Sequence, residues 1–147
     1  MKKIVVVAVL LAAFAAQPGW AAKKAKTSNC MPPSAMEAEQ AIRYVTDLMI
    51  ISSVCQDTVY AEFRLRNKDA IIGYQKALMS HFHGAAGFDK WNTALANQAA
   101  QKQSGNLQLC EQSKPLLKQA GGLDPKGFHA YAAAQAAADT QTPKCGK

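Results

Sequence analysis

The chain lacks the short signatures that announce most chemistries. It has no C-x-x-C, which excludes a thioredoxin-like redox pair and a haem attachment motif. It has no H-E-x-x-H and no closely spaced cysteines, so the usual zinc frameworks are missing. A G-x-S-x-G elbow is also absent. Ser80 beside His81 does not replace it, because adjacency in sequence does not bring a nucleophile within reach of a base. There is no glycine-rich phosphate loop, no nucleotide motif, no internal repeat and no low-complexity assembly segment. These absences point to a non-enzymatic protein without a cofactor.

Long apolar runs are scarce too. The longest, Ile4 to Ala16, is thirteen residues, too short for a normal membrane crossing. It follows Lys2 and Lys3 and precedes Pro18-Gly19, the pattern of a secretory signal, with Gly19 and Ala21 as the small residues before cleavage. The expected organisation is a signal peptide at 1–21, a flexible arm at 22–33 carrying Lys23, Lys24 and Lys26, and one helical domain at 34–147 with a short C-terminal tail. The expected location is the periplasm or the exterior, with no stable membrane span once the signal is removed.

Loss of the signal lowers the basic residues from seventeen to fifteen against ten acids, for a net charge of +5. That excess is small and scattered, which argues against nucleic acid as a partner. The four cysteines, Cys30, Cys55, Cys110 and Cys145, all lie beyond the signal, and an oxidising compartment predicts two structural disulfides.

The fold class expected is all-α: a compact bundle of four to five helices, antiparallel and stapled by both bridges. After Pro32-Pro33, Ser34 and Glu37 have the spacing of a capping box. Ala41, Tyr44, Leu48, Ile51 and Cys55 then recur at helical intervals, and Glu39, Arg43 and Asp47 form a charged ladder expected to face solvent. A second helix runs from Tyr60 through Phe63, Asn67, Ile71, Tyr74 and Leu78 to Phe82. The alternative extends the first helix to about Arg66 and turns at Asn67-Lys68-Asp69. Asn67 would face inward and need hydrogen-bond partners. Phe88, Trp91, Leu95 and Ala99 outline a third helix, and Leu107 to Ala120 a fourth, kinked or restarted at Pro115. Leu123-Asp124-Pro125 opens the last, an alanine-rich helix thin enough to approach its neighbours closely.

Helix length constrains the disulfides. A helix over 35–55 is about 30 Å long, so Cys30 cannot reach back to Cys55. Cys55 and Cys110 fall at one end of an up-and-down bundle, which leaves Cys30 with Cys145 to tie the termini.

Two stretches carry the functional expectations. In RLRNKD, residues 64–69, Arg64 and Lys68 share a face and Arg66 lies on another, while Glu62 can pair with Arg66. With Trp91 nearby, Arg64 and Lys68 make a partner-binding surface for another protein of the cell envelope or exterior, in an inhibitor or accessory role. The alternative is a periplasmic small-ligand or metal carrier built on His81 and His83, with His129 arriving from elsewhere. Residues two apart on a helix point about 200° apart, so this pair converges only if the helix has ended at Gly84. That ending equally makes the histidines a helix C-cap.

Overall fold

The computed structural model describes residues 30–145. The expected signal peptide at 1–21, and residues 22–29 of the expected arm, lie outside them. Six helices follow: α1 (Pro33–Cys55), α2 (Val59–Arg66), α3 (Lys68–His81), α4 (Ala85–Gln103), α5 (Leu109–Gly122) and α6 (Pro125–Ala138). The all-α bundle is as expected. It has six helices because the polar stretch after Cys55 and the later Asn67 position both break the chain.

At the first break, Gln56 adopts a left-handed conformation at φ 54° and ends α1. The Asp57 carboxylate accepts from the Val59 amide at 2.9 Å and from the Ser52 hydroxyl at 2.7 Å. Side chains thus supply the turn that neither glycine nor proline marks. At the second break the helical ladder continues, from the Asn67 amide to the Phe63 carbonyl at 2.9 Å, but Asn67 is tilted to φ −104° and ψ 16°. Its fully buried side chain donates through Nδ2 to the carbonyls of Phe63 and Leu123, each at 3.1 Å. Asn67 therefore ties the α2–α3 junction to the α5–α6 connection.

The centre of the fold is α1. Its buried residues, from Ala35 and Met36 through Tyr44 and Leu48 to Ser52, point in every direction around the axis, and α1 packs against all the other helices. From Ala35 to Leu48 no residue of α1 is fully exposed; exposure is confined to Pro33 and Ser34 at its start and Met49, Ser53 and Val54 toward its end. The expected capping box does not form. Pro32 is the N-cap without a side-chain bond, and Pro33 occupies the first helical turn, where its fixed φ suits the helix and its missing N–H is not needed.

The core joins Leu48 and Tyr44 of α1 to Phe63, Leu78 and Phe128 of the surrounding helices. Phe63 and Phe128 meet edge to face, with ring centroids 5.0 Å apart. Ala132 of α6 and Ala38 and Ala41 of α1 are fully buried, as expected for a thin helix laid close to its neighbour. Asp124 caps α6 by accepting from the Gly127 amide at 2.7 Å. Pro115 neither ends nor restarts α5; it sits on the exposed side of a continuous helix.

Both disulfides pair as expected, Cys55 with Cys110 and Cys30 with Cys145, with Cα separations of 5.5 and 4.8 Å. The end of the expected arm, residues 30–33, is held in place. The Met31 amide donates to the Pro143 carbonyl at 2.8 Å, the Cys145 amide donates to the Met31 carbonyl at 3.1 Å, and Pro33 already belongs to α1. Among the described residues no helix is long and apolar enough to cross a membrane.

Candidate functional site

The α2–α3 surface presents Arg64 and Lys68 as expected. Both are exposed, and neither makes a salt bridge or side-chain hydrogen bond among the described residues. Because the ladder continues through Asn67, they share one side of the α2–α3 rod with Leu65, Ile72 and Lys76. Leu65 is 80% exposed. Arg66 has a different task. Its guanidinium donates to the carbonyls of Ala120, Gly121 and Leu123 at 2.9 to 3.0 Å, capping the C-terminal end of α5. Glu62 accepts from the Thr58 hydroxyl at 2.7 Å, so in place of the expected Glu62–Arg66 pair Glu62 bonds locally and Arg66 reaches the end of α5.

Trp91 does not join Arg64 and Lys68. It stacks on Phe82 with centroids 5.4 Å apart, and Phe82 lies at the opposite end of α3 from Lys68, about 20 Å away along the helix. The arginine beside Trp91 is Arg43 of α1, with which it lines a hollow of about 340 Å³. Aromatic and cationic residues do converge, but around a different arginine.

The histidines separate. His81 is the last residue of α3, and His83 follows it at φ 60°. The Gly84 amide donates to the Met79 carbonyl at 2.8 Å and the His83 amide to the Ser80 carbonyl at 3.4 Å, the two bonds of a Schellman cap. Glycine usually occupies the left-handed position that His83 takes here. His129 lies on α6 and meets Tyr74 and Glu37 instead. The Tyr74 hydroxyl donates to Glu37 Oε1 at 2.9 Å and lies 2.6 Å from His129 Nδ1, while His129 and Glu37 form an ion pair when the imidazole is protonated. Burial, reinforced by the Glu37 carboxylate, pushes the Tyr74 phenol well above its ordinary range and keeps it neutral. This cluster joins α1, α3 and α6. Among the described residues no group of three or more His, Cys, Asp or Glu side chains is placed to hold a metal ion.

The charged ladder on α1 is the main correction. Glu39 is buried and Arg43 and Asp47 are partly buried, because α4 and α6 cover the side assigned to solvent. Arg43 donates through Nε at 2.9 Å and Nη2 at 2.5 Å to a single oxygen of Glu39. Arg43 and Asp47 of the ladder line a groove of about 540 Å³, with Tyr44 from α1, Gln98 and Lys102 from α4 and Gln135 from α6. Asp47 and Lys102 have no hydrogen-bond or salt-bridge partner among the described residues. Burial raises the Asp47 carboxyl above the ordinary aspartate range, an effect that Lys102 and Arg43 partly oppose. The buried Tyr44 hydroxyl also has no partner, and burial beside Tyr131 pushes its pKa up to about 12, so it remains a neutral donor. The signal for this site was present in the sequence: apolar positions from Ala35 to Ile51 spread around α1 rather than along one stripe, leaving no solvent side for Glu39, Arg43 and Asp47.

Comparison of the chain with protein-family models, with curated proteins and with solved structures finds no match.

Proposed function

We propose that this chain is an exported, non-enzymatic protein that recognises an acidic partner protein through the α2–α3 face, in an inhibitor or accessory role in the periplasm or outside the cell. The observation that carries the reading is Leu65, 80% exposed beside Arg64, Lys68 and Lys76, none of which has a salt-bridge partner among the described residues. The opposite side of the same rod holds the buried Phe63, Asn67 and Ile71, so the face is presented rigidly. A partner that covers Leu65 gains roughly 1.5–3 kcal/mol from its burial, while acidic groups around it would meet the cations. Two cysteine pairs in bridging geometry and the Lys2-Lys3 leader pattern support export.

The test is affinity capture from the exported fraction with the wild-type chain, with Arg64→Glu/Lys68→Glu and with Leu65→Ser. The charge reversal and the leucine replacement should each reduce capture of the same acidic protein at least tenfold. Their thermal unfolding should stay within about 0.5 kcal/mol of wild type, as for exposed sites elsewhere. Undiminished capture by both variants rejects this face.

A further inference from the structure

A polar groove lies away from that face, between α1, α4 and α6. Two of its charged groups are left without partners by the fold: the half-buried Asp47 carboxylate and the exposed Lys102 ammonium. Nothing structural is gained by holding an acid in a half-buried place with its nearest cations outside bonding distance. A ligand that supplies a cation to Asp47 and an anion to Lys102 would compensate both groups.

Charge balance narrows the ligand. Glu39 neutralises Arg43, and Asp47 and Lys102 carry opposite charges, so the groove as a whole is neutral while holding an unpaired acid and an unpaired cation. A net anion would meet Asp47, and a net cation would meet Lys102 and Arg43. A zwitterion meets neither obstacle.

Length and lining narrow it further. Arg43 and Asp47 stand one helical turn apart, about 6 Å between their β-carbons. The charged ends of an extended dipeptide are separated by roughly 7 Å, whereas those of a free amino acid flank a single carbon. Gln98 and Gln135 add side-chain amides, which can both donate to and accept from a peptide group. A volume of about 540 Å³ is in the range of small-ligand sites. The adjoining hollow shares Arg43, Leu95 and Gln98 with the groove and adds the Trp91 ring, an apolar wall for a ligand side chain.

We propose that the α1–α4–α6 groove binds a short peptide with free ends, about a dipeptide in length, its ammonium on Asp47 and its carboxylate on Lys102 and the free edge of Arg43. The ligand's apolar side chain lies toward Trp91.

Calorimetric titration of the full chain tests this with three probes: alanyl-leucine, N-acetyl-alanyl-leucine amide, which lacks both end charges, and an uncharged N-acetylated disaccharide. Alanyl-leucine should bind saturably and at least tenfold more tightly than either other probe. Asp47→Asn and Lys102→Gln should each weaken it at least tenfold while the melting curve still shows a folded protein. Arg64→Glu/Lys68→Glu should change it less than twofold, which keeps this proposal separate from the α2–α3 reading. No saturable binding of alanyl-leucine overturns the proposal. So does equal binding of the blocked peptide, tighter binding of the disaccharide, or unchanged affinity in both groove variants.

Discussion

Asn67 offers the sharpest test of how this fold is held, through the isosteric change Asn67→Asp. The side chain is fully buried, and Nδ2 donates to the Phe63 and Leu123 carbonyls at 3.1 Å each. An aspartate in the same place turns an acceptor oxygen toward two acceptors. It must either ionise in an apolar interior or take up a proton. Protonation at pH 7, three units above the unperturbed aspartate value, costs about 4 kcal/mol. The protonated acid restores one of the two donor bonds, and loss of the other costs about 1 kcal/mol. The predicted destabilisation at pH 7 is therefore about 5 kcal/mol, a large share of a typical domain's stability.

The sign with pH is fixed by linkage. The introduced carboxyl has a folded pKa above its unfolded one, so its penalty is absent below the unfolded value and grows as pH rises toward the folded one. The difference from wild type should shrink to about 2–3 kcal/mol at pH 5. Urea unfolding of both proteins at pH 7 and pH 5 measures it. A variant too unstable to show a transition at pH 7 should regain one at pH 5. A difference below about 1 kcal/mol at pH 7, or one equal at the two pH values, refutes the account of Asn67 as a donor clamp.

Three further changes probe other parts of the structure. A β-carbon on Gly87 would lie 2.2 Å from the Phe82 carbonyl oxygen, so Gly87→Ala must shift backbone and should lower stability by about 1–3 kcal/mol in chemical denaturation. His83→Gly relieves the left-handed strain at φ 60° and, after the greater chain entropy of glycine, should raise stability by about 0.5–1 kcal/mol, visible as a higher Tm. Asp47 has a folded pKa above the unfolded value, so its ionisation opposes folding at neutral pH and not below the ordinary aspartate range. Asp47→Asn should therefore melt higher than wild type at pH 7, and that advantage should disappear near pH 3. The same substitution weakens the proposed peptide site, the expected trade where a polar group is kept for binding rather than stability.

Much of the fold was legible because its signals are local. Asp124-Pro125 starts a helix by chemistry confined to three residues, and Gly84 permits a turn wherever its neighbours lie. The disulfide pairing followed from helix length, since a rigid rod separates Cys30 from Cys55 whatever packs around it. The division of the second helix at Asn67 was half visible: the sequence offered a break at residues 56–58 or at 67, and both occur. Local preference cannot show that the two breaks are compatible, because that depends on Leu123 arriving from a distant turn to accept from Asn67.

The functional residues were less legible. Arg64 and Lys68 were placed correctly on the surface because helical spacing is enough to put them on one face. Trp91 was assigned to the wrong neighbours, since the side chain that meets it is set by how α4 returns along α1 and α3. The charged ladder on α1 was assigned to water by the ordinary rule that a polar stripe is solvated. In this bundle the rule fails, because the other helices enclose α1.

By itself the sequence determined the helical class, the main chain breaks, the cysteine pairing and the exposed basic face, all of which rest on spacing within one helix or on the length of one. Only the tertiary structure decided which helices enclose α1, and with that the burial of Glu39 and the conversion of Arg43 and Asp47 from a solvent face into the wall of a groove. Periodicity reports which residues share a side of a helix. What covers that side is settled by segments far away in the chain, and burial then changes the chemistry of the same charges.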